Sequence, residues 1–215
     1  QKTAYEIRPR DWSSDVCSSD LNPAVAARSV KELLALAKAQ PGKLNMASAG
    51  IGSSSHLAGI LFNSMAGIES THVAYKGGGP MGIAVIAGEA QWCFGLAAAF
   101  AGHYKAGRMR AVAVTTRKRA PLMPDVPTVD ESGVPGYEYT TWNAFFAPAG
   151  VPKAYITRLH ATIQKALLEK DVNDAYLAQA TVPVGSATPA EFARYFRADF
   201  ERVGKLIKLA GIKPE

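Results

Sequence analysis

Apolar positions between Ser29 and Gln40 (SVKELLALAKAQ) fall on one helical face, shared by Val30, Leu33, Leu34 and Ala37. Ser29 stands before them as an N-cap, Glu32 follows three residues later, and Pro41-Gly42 stops the run. Leu44–Ala49 is a short apolar stretch ending at Gly50, and Ser53–Ala66 reads as a helix closed by Gly67. His72–Tyr75 reads as a strand, after which Gly77-Gly78-Gly79-Pro80 opens a helix with proline in its first turn. Ala90–Leu96 then predicts a strand, Ala98–Lys105 a helix and Met109–Thr115 a strand. Strands and helices that alternate in this way imply an α/β fold with a mostly parallel sheet covered on both faces.

After Thr116 the pattern changes. Pro121, Pro124, Pro127 and Pro135 punctuate a long irregular connection with one short helix expected near Val129. Tyr139–Ala147 alternates like a strand, and Pro152–Glu169, Val172–Ala180 and Pro189–Ala210 predict helices. Thr188-Pro189-Ala190-Glu191 gives the last one a capping box. No further strand is expected in this tail. Its apolar faces (Ile156, Leu159, Ile163 and Leu167; Phe192, Phe196, Phe200, Val203 and Ile207) therefore call for a partner layer from elsewhere.

The first residues show neither period. Gln1–Ile7 and Arg10–Leu21 back-translate in frame into the two constant parts of a sequencing index adaptor, separated by about one index length. Residues 1–21 are therefore expected to be a non-native tail with no packing role, and a signal peptide cannot be sought there. Setting them aside raises the net charge of +6 by one and leaves Cys93 as the single cysteine, in an apolar run that suits a buried thiol. The 215-residue chain is 48% hydrophobic and 20% charged, which suits a globular protein with one good core or two small ones. No dense Lys/Arg block points to nucleic acid, and no apolar run is long enough for membrane insertion.

The strongest chemical signal is Ala47-Ser48-Ala49-Gly50-Ile51-Gly52-Ser53-Ser54-Ser55-His56, a strand that passes through a glycine loop into a serine-rich first helical turn. Free N–H groups, the positive end of the helix dipole and three hydroxyls meet there, and glycine lets the backbone approach a ligand. It suits a carboxylate or a phosphate, although serine capping at a tight turn would give the same spacing. Tyr75-Lys76-Gly77-Gly78-Gly79-Pro80 and Phe94-Gly95-Leu96 are two further strand ends, and a parallel sheet delivers such ends to one edge. Enzyme chemistry finds no support. Gly50-x-Gly52-x-x-Ser55 imitates a dinucleotide fingerprint, but the next strand ends without an acid for a ribose. No nucleophile elbow is present, and His56, His72, His103 and His160 lack metal-ligand spacing, so no catalytic residue, metal or cofactor is expected.

The segments Ser48–Gly59 (SAGIGSSSHLAG), His72–Pro80 (HVAYKGGGP), Gly88–Phe94 (GEAQWCF), Tyr104–Thr116 (YKAGRMRAVAVTT), Pro124–Glu138 and Trp142–Pro152 (WNAFFAPAGVP) together resemble the Bug-type receptors of tripartite tricarboxylate transporters, from about Asn22 to Glu215. The resemblance implies a type II-like, two-lobed periplasmic binding fold that closes on a small carboxylate and delivers it to membrane permease subunits. It implies ligand contacts from Ser48, Gly50, Gly52, Ser53, Ser54 and His56, from Tyr75, Lys76 and Gly77, and from Phe94. Gly78, Gly79 and the Ala97–Ala99 run depart from what the family leads one to expect. On this reading residues 22–140 form the second lobe, and residues 141–215 a mainly helical remnant of the first lobe, without its N-terminal sheet. The complete protein would be a monomeric periplasmic receptor. A ligand-sensing domain of a signalling system using the same fold is the alternative.

Overall fold

The computed structural model describes residues 12–15, 17–121, 123–178, 181–184, 186 and 188–212. They divide into two compact units: a sheet unit of residues 17–140 with 204–212, and a helical unit of residues 12–15 with 141–203.

In the sheet unit, strand β2 (Cys17–Leu21) is followed by α1 (Val30–Ala39), β3 (Asn45–Ser48), α2 (Ser54–Ala66), β4 (Thr71–Ala74), α3 (Gly78–Ala87), β5 (Trp92–Leu96), α4 (Ala97–Lys105) and β6 (Arg110–Val114). The strand order is β4-β3-β5-β2-β6. Strand β3 pairs in parallel with β4 and β5, while β2 runs antiparallel to both β5 and β6. The pleat sends alternate residues of β5 to opposite faces. Trp92 and Phe94 join Phe62 of α2 and Tyr137 in one ring cluster, whereas Cys93 packs with Met81, Val85 and Phe100 of α3 and α4. Gly82 and Gly95 make room for the Phe100 ring, since a Cβ on either would lie 2.5 or 2.0 Å from it. Helix α1 buries Val30, Leu33, Leu34 and Ala37, the face its periodicity predicts, and Ser29 accepts the Glu32 N–H as its cap.

Four expectations change. Residues 17–21 lie inside the fold: Cys17–Leu21 is completely buried between β5 and β6. A β-ladder is made by backbone groups, so a segment with no apolar alternation can still complete one. Consequently β5 and β6, consecutive in sequence, are separated by an opposed strand. Near Val129 there are turns in place of a helix. Thr128 and Glu131 exchange a reciprocal cap, but Gly133 at φ +115° and Pro135 let no helix grow from it.

Tyr139–Ala147 builds no ladder strand. The Tyr139 N–H bonds Thr115 O, and in the helical unit Trp142 turns to a ring cluster with Phe192, Tyr195 and Phe196 while donating to Asp199 (2.9 Å). Finally, the tail does hold a strand: β7 (Thr181–Val184) pairs antiparallel with β1 (Trp12–Asp15). Helices α5 (Lys153–Leu168), α6 (Lys170–Ala178) and α7 (Pro189–Leu209) complete the chain. Leu168 and Phe200 remain 84% and 71% exposed, so part of the tail's apolar surface is uncovered.

Candidate ligand-binding site

The register of β3 against its neighbours brings the glycine loops together. Tyr75 N–H donates to Ser48 O (2.9 Å) and Gly77 N–H to Ala49 O (3.0 Å), which ties the loop after β4 to the loop after β3. Ala47 lies opposite Cys93, and β3, β4 and β5 run parallel, so their C-terminal ends reach the same edge of the sheet. Helices α2, α3 and α4 thus begin along one sheet edge. Helix α2 is capped by Ser53, while α3 and α4 start at Gly77 and Leu96 with no side-chain cap. The first-turn N–H groups of α3 and α4 are left for solvent or a ligand.

Within the main loop most polar groups are already engaged. Ser48 Oγ accepts from Gly50 N–H (3.2 Å), and Ser55 Oγ accepts from Ala49 N–H (2.8 Å). Ser53 donates its hydroxyl to Gly50 O (2.6 Å) and accepts the His56 N–H (3.3 Å), while its own N–H donates to Gly50 O (3.2 Å). Gly52 N–H donates to His56 Nδ1 (3.1 Å). Gly50 at φ +137° and Gly52 at φ +75° supply the positive dihedrals this path needs. The loop is held stiff from inside. It presents Ile51, Gly52 and Ser54 outward, with Ile51 71% exposed.

The imidazoles of His56 and His72 stack with centroids 3.8 Å apart and planes 10° from parallel. His72 Nε2 lies 2.6 Å from Ser48 Oγ. Burial lowers the His56 pKa; burial, and then the neighbouring His56, bring His72 down to about 4. Both rings are therefore neutral at pH 7.

Ser48, Gly50, Gly52, Ser53, Ser54 and His56 thus share one loop, joined by the backbone of Tyr75 and Gly77, with Lys76 exposed beside them. Phe94 stands apart: its side chain is 1% exposed and faces the ring cluster, which leaves only its backbone to the sheet edge. His72 and Ser55 belong to the site's frame. Ser55 is one of the three hydroxyls the sequence places there, whereas no spacing marks His72, which meets His56 only through the β3–β4 pairing. In the helical unit a cavity of about 750 Å³ is lined by Val151, Lys153, Ile156, Thr157 and Thr188 among others. Among the described residues no group of three or more His, Cys, Asp or Glu side chains could hold a metal ion, and no helix is long and apolar enough to cross a membrane.

Residues 19–212 match the model of the tripartite tricarboxylate transporter family receptor. A Pseudomonas protein described as a UPF0065 protein in the tcbD-tcbE intergenic region is 39% identical over 84% of this chain, and BugT of Bordetella pertussis is 31% identical over 89%. The chain spans 54% and 59% of the lengths of those two relatives. Among solved structures, Rpa4515 of R. palustris with adipate superposes with a TM-score of 0.85 at 30% identity, over 99% of this chain and 70% of that one. The periplasmic binding protein BugD superposes with a TM-score of 0.80 at 25% identity, over 99% and 71%.

Proposed function

Since the chain belongs to the tripartite tricarboxylate transporter receptor family, we propose that it supplies one face of a periplasmic binding site for a small carboxylate, for delivery to membrane permease subunits. The observation that carries this reading is the wired loop at Ser48–His56. Its internal bonds fix the backbone, and its outward groups lie at the start of α2, beside the uncapped starts of α3 and α4. Donors held in place before a ligand arrives bind an anion without a reorganisation cost. The R. palustris protein that this chain resembles is described with adipate, a small carboxylate, which points the same way.

A second face must complete the site. Ile51, Gly52 and Ser54 are exposed, and a charge-assisted bond in water is worth little compared with the same bond enclosed. The 215-residue chain should therefore hold an acid weakly. The test is calorimetric titration of the chain with adipate, malate and citrate, and with a neutral sugar as control. Saturable binding of an acid at millimolar concentration, lost in Gly52→Val, is expected. Equal responses to acid and sugar would contradict the reading, and micromolar binding would overturn the need for a second face.

A further inference from the structure

The bond between Gly52 and His56 joins the loop to a titrating group. Gly52 N–H donates to His56 Nδ1, so that nitrogen carries no proton and the ring's hydrogen sits on Nε2. Gly52 itself is exposed, but its N–H points inward at the imidazole, which lies buried behind the loop, 5% exposed. Against its other side the His72 ring is stacked and held by Ser48 Oγ. A proton added at His56 Nδ1 would turn this acceptor into a donor. The Gly52 N–H would then lose its partner and need another one.

We infer that the His56–His72 stack is the proton-linked element of this anion cradle: taking up one proton breaks the Gly52 bond, frees that turn to adjust, and sets a positive charge directly behind the exposed loop. This rests on the acid-binding reading above and adds the ionisation that accompanies it. Anion and proton then favour one another by the same factor, because binding linkage is reciprocal. The surroundings leave the effect to this pair. Strand β3 (Asn45–Ser48), strand β4 (Thr71–Ala74) and helix α2 (Ser54–Ala66) carry no Asp, Glu, Lys or Arg, and the two histidines are their only ionisable side chains. The adjoining loop brings Tyr75, whose hydroxyl lies 3.5 Å from Glu89, and the exposed Lys76. Burial, and then the neighbouring His56, disfavour charge on His72, which is brought down to about 4, and it is His56 Nδ1 whose protonation would break the bond to the loop. His72 is a positioning residue here: it braces the ring that titrates and anchors Ser48.

Ethane-1,2-disulfonate, an anion that keeps its charge in acid, is the probe, with succinate beside it. Imidazole and amide resonances of the chain are followed by NMR between about pH 4.5 and about pH 7.5, on both sides of the ordinary imidazole range. In the unsubstituted protein, saturation with the disulfonate should raise the titration midpoint of His56. The dissociation constant should fall by up to about tenfold per pH unit as the pH drops, the limit for one linked proton. His56→Asn keeps an oxygen for the Gly52 N–H but cannot gain charge, and should make the affinity independent of pH. If the loop amides respond to the anion while the His56 midpoint and the affinity stay fixed, the proton linkage is overturned and the acid cradle stands. If no loop amide responds at any pH, the cradle itself is wrong, and the linkage falls with it.

Discussion

Two serine-rich segments of one sheet meet opposite fates. At Ser48–His56 the hydroxyls of Ser48, Ser53 and Ser55 all bond backbone groups of the turn. In Cys17–Leu21 the backbone is already satisfied on both sides by β5 and β6, and the side chains must find partners among themselves. Ser18 donates to Asp20 (3.0 Å), Tyr104 donates to Asp20 (2.7 Å), and the buried Ser19 Oγ has no partner. Burial drives the Asp20 carboxyl well above its ordinary pKa, against the hydrogen bonds from Tyr104 and Ser18 that pull it down. The same residue type is an asset where a turn and a helix start offer free amides, and a cost in the middle of a ladder.

The largest effect should come from breaking the favourable side. Gly50→Val places a β-branched residue at φ +137°, with its Cβ 3.5 Å from Tyr75 O. It should cost about 1–3 kcal/mol of stability and weaken acid binding at least about tenfold. Ser64→Ala, farther along α2, should change binding within error. Chemical denaturation and calorimetry check both.

Removing the unfavourable side should do the opposite. Asp20 has a folded pKa above its unfolded value near 3.8, so between the two the folded chain keeps a proton that the unfolded chain releases. Stability should therefore fall as pH rises from about 4 towards the folded pKa. Asp20→Asn should flatten that slope and raise the unfolding free energy at pH 7, read from urea denaturation, by about 1–3 kcal/mol. An unchanged slope would place the proton elsewhere.

Two smaller effects bracket the comparison. Ser53→Ala removes the cap of α2 and should destabilise by about 1 kcal/mol. Ser19→Ala removes the orphan hydroxyl of β2 and should stabilise by about 1 kcal/mol. Opposite signs for a Ser→Ala change at a helix cap and one inside a ladder, read from urea midpoints, are what the contrast demands.

The elements from Ser29 to Val114 were readable because each carries its own local signal: Ser29 and Ser53 at caps, Gly67 at φ +62° and Gly88 at φ +81° at helix ends. Strand β2 was not, since CSSDL has no alternation and only the open ladders of β5 and β6 make it a strand. Strand β7 hid for a related reason, its partner being Trp12–Asp15 in the same discounted segment. Of the site, the glycine–serine loop was legible from its turn chemistry. The bracing by His72 was not, for it depends on a register that sets Met46 opposite His72 and Ser48 opposite Ala74.

The most direct measurement is a two-dimensional amide titration of the 215-residue chain with adipate at neutral pH. The account predicts that the largest shifts fall on Ile51, Gly52, Ser54 and Ser55, with smaller ones at Gly78 and Ala98 in the first turns of α3 and α4. Shifts spread evenly over the surface, or confined to the cavity beside Lys153, would contradict it.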